Sequence, residues 1–215
     1  MNSKFHRGVM YIFLLACASL LCAQELPTIK LPQPKKEGGK PLMQALNERK
    51  SGREFSSEKL PLPVLSNLLW AACGINRSTG QRTAPTASNK QEIDVYVAAP
   101  DGLFLYDPKE HKLTQVLTED IRAQTGTQPY PKDAAINLIY VADLTKAGRT
   151  KPEDVEFYSG ADTAFIAQNV YLFCASEGLV TVVRASVDRA ALAKTMKLRA
   201  DQKICLAQSI GYPKK

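Results

Sequence analysis

The stretch from Ser159 to Leu179, SGADTAFIAQNVYLFCASEGL, limits the choice of fold more than any other part of the chain. It contains no proline, and its apolar residues fall on nearly every side of a helix. A helix that is apolar nearly all round has no face to give to water, so a long central helix buried by its neighbours is predicted here. Ser159 is placed to cap its start, and Gly178 to end it in the left-handed conformation.

The segments available to cover that helix differ in type. LPVLSNLLWAACGI reads as a second helix, with Pro63 in its first turn, Leu65, Leu68, Leu69 and Ala72 at helical spacing, and Gly74 as a left-handed C-terminal cap. PLMQALNERKS reads as a short helix that opens at Pro41, turns Leu42, Ala45 and Leu46 to one side, and runs into Arg49 and Ser51. IDVYVAAPDGLFLYD reads as a hairpin of two alternating strands around Pro-Asp-Gly. AINLIYVAD, LVTVV and KICLAQSIGY read as further strands, DRAALAKTMKL as a helix capped by Asp188, and a short helix is predicted near 115–125. RSTGQRTAPTASNKQ is a long polar loop. Helices and strands mixed in this way give an α+β fold. No GxGxxG follows a strand, so a Rossmann nucleotide site is not indicated.

Lys4, His6 and Arg7, followed by the apolar run VMYIFLLACASLLCA, read as an export signal over residues 1–23, too short for a comfortable membrane span. Two processing routes stay open. Signal peptidase I would cut after Ala23; alternatively, LLAC ending at Cys17 resembles a bacterial lipobox, and lipidation there would tether the chain to a membrane. By either route the chain leaves the cytoplasm, and a periplasmic location is predicted. Loss of Lys4 and Arg7 takes the formal charge from +7 to +5. Residues 24–40 read as an extended arm rich in Pro, Lys and Gly, and 41–215 as one domain.

What the chain lacks narrows its chemistry. Of its two histidines, His6 lies in the signal, so a Ser-His-Asp or Cys-His hydrolase would have to use His111, in a stretch, DPKEHKLTQ, that reads as a solvated turn. A histidine zinc site lacks ligands, and no metal is predicted. Cys73, Cys174 and Cys205 sit far apart in apolar runs without a CxxC and are predicted to be buried free thiols, with one disulfide left open. The basic residues are scattered, with no block of five, so no nucleic-acid partner is predicted; a local anion site is a better use of a few cations.

Such a site is suggested once. RKSGREF, Arg49 to Phe55, sets two arginines, a lysine and a serine around a glycine just after the first predicted helix. Arginine offers a planar fork of donors, lysine a compact charge and serine a short hydroxyl, a set suited to one phosphate. The Arg-(Arg/Lys)-Ser-x-Arg-x-Phe order resembles the opening motif of the nitroreductase family of FMN-dependent oxidoreductases. APTASNKQE (84–92) resembles that family's Pro-Ser-x-x-Asn-x-Gln loop, AQNVYLFCASEGLVTVV (167–183) its central helix and the strand beyond, and SIGYPKK (209–215) its closing Gly-Tyr-Pro strand. LLWAACGI, RTAPTAS and VYVAAPDGLFLYDP are most similar to the branch called SagB-type or ThcOx dehydrogenases.

The resemblance implies a nitroreductase-like fold, with a central, mostly antiparallel sheet flanked by helices and a long buried helix. It implies a homodimer with FMN at the interface, and a small-molecule electron donor and acceptor. Carried onto this chain, it implies that Arg49, Lys50 and Ser51 hold the FMN phosphate and ribityl chain, with Arg53 a further basic position. Pro85, Thr86, Ala87, Ser88 and Asn89 would lie against the ring, and Gln168 on the central helix would also belong to the site. Ala185 or Ser186 would meet flavin N5, and Lys214 or Lys215 the phosphate. Lys90 and Arg82 are candidates for charge near the ring's polar edge. No catalytic side chain is required, because the flavin carries the redox chemistry. The sequence departs from the pattern in Thr86 for the usual serine, in Arg-Ala-Ser (184–186) near the N5 contact, and in ending two residues after Pro213. A flavin-binding or envelope interaction module without turnover stands as the alternative.

Overall fold

A computed structural model describes residues 26–148 and 151–214; the predicted export signal over residues 1–23, with Cys17, and Lys215 lie outside the described residues. Seven strands carry the fold: β1 (Thr28–Lys30), β2 (Ile93–Ala99), β3 (Gly102–Asp107), β4 (Lys112–Leu117), β5 (Ile136–Asp143), β6 (Val180–Arg184) and β7 (Gln202–Gly211). They form one sheet in the order β1-β4-β3-β2-β5-β7-β6, antiparallel at every pairing. The helices are α1 (Leu42–Glu48), α2 (Leu62–Cys73), α3 (Leu144–Ala147), α4 (Pro152–Glu177) and α5 (Arg189–Thr195).

Strand alternation divides the core in two. Val95, Val97, Leu138 and Tyr140 face α2 and α4, meeting Leu68, Leu69, Ile166 and Val170. Tyr96, Ala98, Ile139 and Val141 face the other way, toward Leu192 and Met196 at α5. All eight residues of β5 are buried, as a strand covered on both faces requires. Deleting a side chain such as Leu68, which is fully buried, is expected to cost about 2–5 kcal/mol.

The central helix departs from its predicted limits and burial. It starts at Pro152 rather than Ser159, because a proline at the first position and Glu153 and Asp154 in the first turn favour the helix start. Ser159 is an interior, buried residue. The end is as predicted, with Gly178 left-handed at φ 71°. Burial is one-sided in the single chain: Ile166 and Val170 face the sheet, but Phe157 and Phe165 are 69% and 48% exposed. Gly74 is not left-handed but extended (φ −68°, ψ 159°); it is required because a Cβ there would come within 2.3 Å of Trp70 Cδ1. The helix predicted near 115–125 is instead β4 followed by a single 3-10 turn at Arg122–Thr125, since pairing with β3 and β1 outweighs local propensity. Part of the arm is drawn into the sheet as the edge strand β1, and Leu31 beyond it is buried.

His111 is half-buried rather than solvated. Its Nε2 lies 2.7 Å from Ser66 Oγ and its Nδ1 2.9 Å from Tyr106 Oη, while Ser66 donates to Pro32 O at 2.6 Å. Ser66 has no exposed surface, so this chain of bonds is a strut that fastens the arm and not a nucleophile. Burial lowers the His111 pKa, against a smaller opposing effect of its hydrogen bonding near Pro32. A histidine depressed in the fold stabilises it above its unfolded value, about 6.5, and loses that contribution as pH falls through the lower folded value. Melting temperatures at pH 7.5 and 5 are therefore expected to differ more for the wild type than for His111→Gln.

The three cysteines of the described residues are free; Cys73 and Cys174 are buried, and Cys205 is partly exposed rather than buried. Burial pushes the Cys73 thiol up to about 11. Among the described residues no helix is long and apolar enough to cross a membrane, and no cluster of His, Cys, Asp and Glu could hold a metal.

Candidate functional site

α1 ends at Arg49, whose amide donates to Ala45 O at 2.9 Å. The chain then runs along the outer edge of β6. Gly52 N donates to Thr181 O at 3.0 Å, Phe55 bridges to Pro213, and Ser56 N donates to Tyr212 O at 3.0 Å. Glycine is needed at 52 because a Cβ would come within 2.6 Å of Val180 Cγ1. Phe55 anchors the segment by packing into Ala134 and Val182. The Lys214 amide approaches Glu54 O at 3.4 Å, which brings the end of the described chain beside Arg53.

Tyr171, on the buried face of α4, organises the segment's polar side chains. Its hydroxyl accepts from Val183 N at 3.0 Å and lies 2.8 Å from Ser51 Oγ, a contact in which either hydroxyl can donate and which fixes where the serine oxygen sits. The Arg49 guanidinium sits over the Tyr171 ring, 5.2 Å from its centroid, a cation–π contact that holds its fork in place. Arg49, Lys50 and Arg53 have no carboxylate partner among the described residues. Arg49 and Ser51 meet at Tyr171, Lys50 borders the cleft beside Tyr171 and Val180, and Arg53 borders the one beside Lys214; cations and a hydroxyl on one short segment suit a phosphate monoester. Arg53 and Lys214 also line a cleft of about 740 Å3 with Arg122 and Lys132.

The loop Pro85–Asn89 sits elsewhere. Ala87 N donates to both carboxylate oxygens of the buried Asp162, each at 3.1 Å, and Gln91 N donates to Thr86 Oγ1 at 2.9 Å. These bonds hold Ser88, Asn89 and Gln91 at φ 54°, 52° and 53°, left-handed positions on either side of the right-handed Lys90 that asparagine tolerates and most residues resist. Asp162 and Tyr171 are nine residues apart, so the loop and the basic segment meet α4 roughly 13 Å apart along its axis. Among the described residues no hydrogen bond joins the two. Asp162→Ala is expected to lower stability by about 1–3 kcal/mol, read from the urea midpoint, and to release the strained loop, read as faster proteolysis there.

Ala185 and Ser186 lie exposed just beyond β6, and Thr127 N donates to Ser186 O at 3.1 Å. Gln168 is exposed on the outer face of α4, in the same stripe as Phe165, so it is not part of a buried polar contact. Its neighbour Asn169 instead donates to the end of α2, at Ala71 O (3.1 Å). Lys90 is exposed, and Arg82 is tied to Ile93 O at 3.1 Å. Sequence reasoning missed Tyr171, Asp162 and Arg184. A phenol on the inward face of a helix needs a hydroxyl partner, which is a usable signal for Tyr171. Asp162 and Arg184 are charged residues at core-facing positions of a helix and a strand, visible once the register is known.

The profile of the nitroreductase family matches residues 46–212. The chain belongs to the nitroreductase family. A Methanocaldococcus jannaschii protein whose name places it among nitroreductases is 31% identical over 151 residues, 66% of this chain and 76% of its own. A Ralstonia eutropha structure assigned to the nitroreductases is 44% identical, covers 87% of this chain and 90% of its own, and superposes with a TM-score of 0.84. The NADPH:FMN oxidoreductase of Vibrio harveyi, solved with NAD+, shares the fold at 17% identity, with a TM-score of 0.60 over 81% of this chain and 69% of its own. As a member of the nitroreductase family the chain is an oxidoreductase, and the α+β fold with its antiparallel sheet is that of the family.

Proposed function

We propose that the chain is an exported, homodimeric FMN-dependent oxidoreductase that works by ping-pong hydride transfer, as a nitroreductase or a SagB-type dehydrogenase. The observation that carries the cofactor is the segment Arg49–Arg53, three cations without a carboxylate partner around a serine aligned by Tyr171. Arg49, Lys50 and Ser51 bind the phosphate and ribityl hydroxyls, with Arg53 and Lys214 at the margin. Pro85, Thr86, Ala87, Ser88 and Asn89 form the ring's polar wall, held in shape by Asp162. The exposed amides of Ala185 and Ser186 supply the N5 contact. Bound FMN supplies a ring that takes up and gives back a hydride. The side chains bind, orient and exclude water, and no histidine is asked to move a proton.

Dimerisation is supported by an apolar stripe that a single chain leaves open. Leu42, Met43 and Leu46 on α1 are 63%, 75% and 43% exposed, and Phe157 and Phe165 on the adjoining α4 are exposed as well. A patch of this kind marks an interaction surface. Export rests on the signal-like sequence of residues 1–23, and the branch on the SagB-like segments. NADPH, named for the Vibrio harveyi relative, is one donor; oxidation of a substrate with return of electrons to oxygen or a quinone is the other direction. The test is anaerobic: FMN-loaded protein is mixed with NADPH or NADH and the ~450 nm band followed. Bleaching, reversed by a nitroaromatic or quinone in a second half-reaction, is expected. Bound FMN that no donor and no oxidisable substrate reduces would favour the module without turnover.

A further inference from the structure

Arg184 is a buried cation at the end of β6, one residue before the Ala185–Ser186 turn, and its hydrogen-bond partners among the described residues are all neutral. It ends β6 and turns inward, only 6% exposed. Its Nη1 donates to Ser209 Oγ at 2.7 Å; its Nη2 reaches Thr125 O at 2.9 Å, Thr125 Oγ1 at 2.7 Å and Asn137 Oδ1 at 3.0 Å. Nε is buried without a hydrogen bond, hard against Gly126, where a Cβ would come within 2.5 Å of it. No carboxylate faces the guanidinium among the described residues; the remaining neighbour is the Tyr130 ring, 6.0 Å away. Burial pushes its pKa down to about 10, still far above neutral, so the charge persists.

A guanidinium taken out of water without a counter-ion is costly to keep. Neutral dipoles solvate it but do not cancel its field. As a mere tie between β6, β7 and the 125–131 loop, a neutral amide would serve at lower cost. One loop ties the charge to the Ala185–Ser186 turn: Thr125 holds the guanidinium, and two residues on, Thr127 N donates to Ser186 O. An uncancelled positive charge at that place stabilises whatever carries negative charge above it.

We propose that Arg184 supplies a fixed positive field to the flavin ring and makes its reduced state easier to reach. The proposal rests on the FMN reading of the site. Uptake of a hydride brings two electrons and one proton, so the ring gains one negative charge, and a cation nearby favours the reduced form over the oxidised one. For any separation of about 10 Å and an effective dielectric of about 20, one charge would change the ratio of the two affinities on the order of tenfold.

The test is the midpoint potential of the bound FMN, measured by spectroelectrochemistry on the dimer, with the FMN dissociation constant as a second readout. Arg184→Met removes the charge at similar length. Asn137→Asp keeps the arginine and sets a carboxylate where its amide oxygen stood, so it remains informative if Arg184→Met does not fold. Both variants are expected to lower the potential, equivalent to a tenfold smaller preference for reduced over oxidised FMN, and Arg184→Lys to stay close to wild type. FMN bound at an unchanged potential in Arg184→Met or Asn137→Asp would overturn the proposal while leaving the flavin reading intact. An Arg184→Lys shift as large as that of Arg184→Met would also overturn it, since shape and not charge would then be at issue. A wild-type chain that takes up no FMN would overturn both readings together.

Discussion

Arg49→Ala is expected to weaken FMN binding by on the order of 10–100-fold while leaving the fold of the apo-protein intact. The magnitude follows from a charge-assisted, bidentate contact to phosphate, worth about 1.5–3 kcal/mol. The fold is spared because Arg49 lies outside the core, at the end of a seven-residue helix, and makes no ion pair among the described residues. Its contact with the Tyr171 ring is the one thing lost in the empty protein, a cation–π interaction of about 0.5–1 kcal/mol at a site of this exposure. Arg49→Lys should recover part of the affinity, keeping charge but not the planar fork. Titration of flavin fluorescence against protein reads the dissociation constant, and thermal melting without FMN reads the fold. An Arg49→Ala chain that binds FMN as tightly as wild type would remove the basic segment from the site.

Phe165→Glu is expected to weaken self-association by on the order of 30-fold or more. Phe165 lies on the exposed face of α4 with Gln168, three residues on, and α1, which carries the exposed Leu42, Met43 and Leu46, packs against the same helix. In a dimer closed over this stripe, a carboxylate would be buried in apolar surroundings without a partner, at about 2–5 kcal/mol. The isolated fold pays little for the change, since the position is exposed in the single chain. Light scattering across a concentration series reads the mass. A variant that stays dimeric at the same concentrations as wild type would move the interface elsewhere. If the interface completes the flavin site, FMN is lost along with the dimer.

Much of the fold was legible because local pattern and tertiary outcome agree. The β2–β3 hairpin follows from alternation around Pro100-Asp101-Gly102, and β5 from an apolar run that Asn137 alone interrupts before Asp143. The failures have physical causes. β4, KLTQVL, has an ambiguous pattern that only pairing with β3 and β1 resolves. The α4 start was read at Ser159 because a serine before an apolar run looks like a cap, while Pro152 with Glu153 and Asp154 is the stronger start. Apolar residues all round α4 predict burial on every side; one half faces the sheet, and the other, with Phe157 and Phe165, is exposed in the single chain. At the site, the end of β7 runs against the segment after α1, which sets Lys214 beside Arg53 and Glu54. Motif order gave no sign of Tyr171, Asp162 or Arg184, whose roles depend on which way each helix or strand turns them.

The central claim, that RKSGREF holds the phosphate of a flavin, is tested most directly by the visible absorption of purified residues 24–215 supplied with FMN and then exchanged into flavin-free buffer. The account predicts bands at ~375 and ~450 nm that remain with the protein, the signature of retained oxidised flavin. A folded, colourless protein after that treatment would contradict it and return Arg49, Lys50 and Arg53 to the solvated surface.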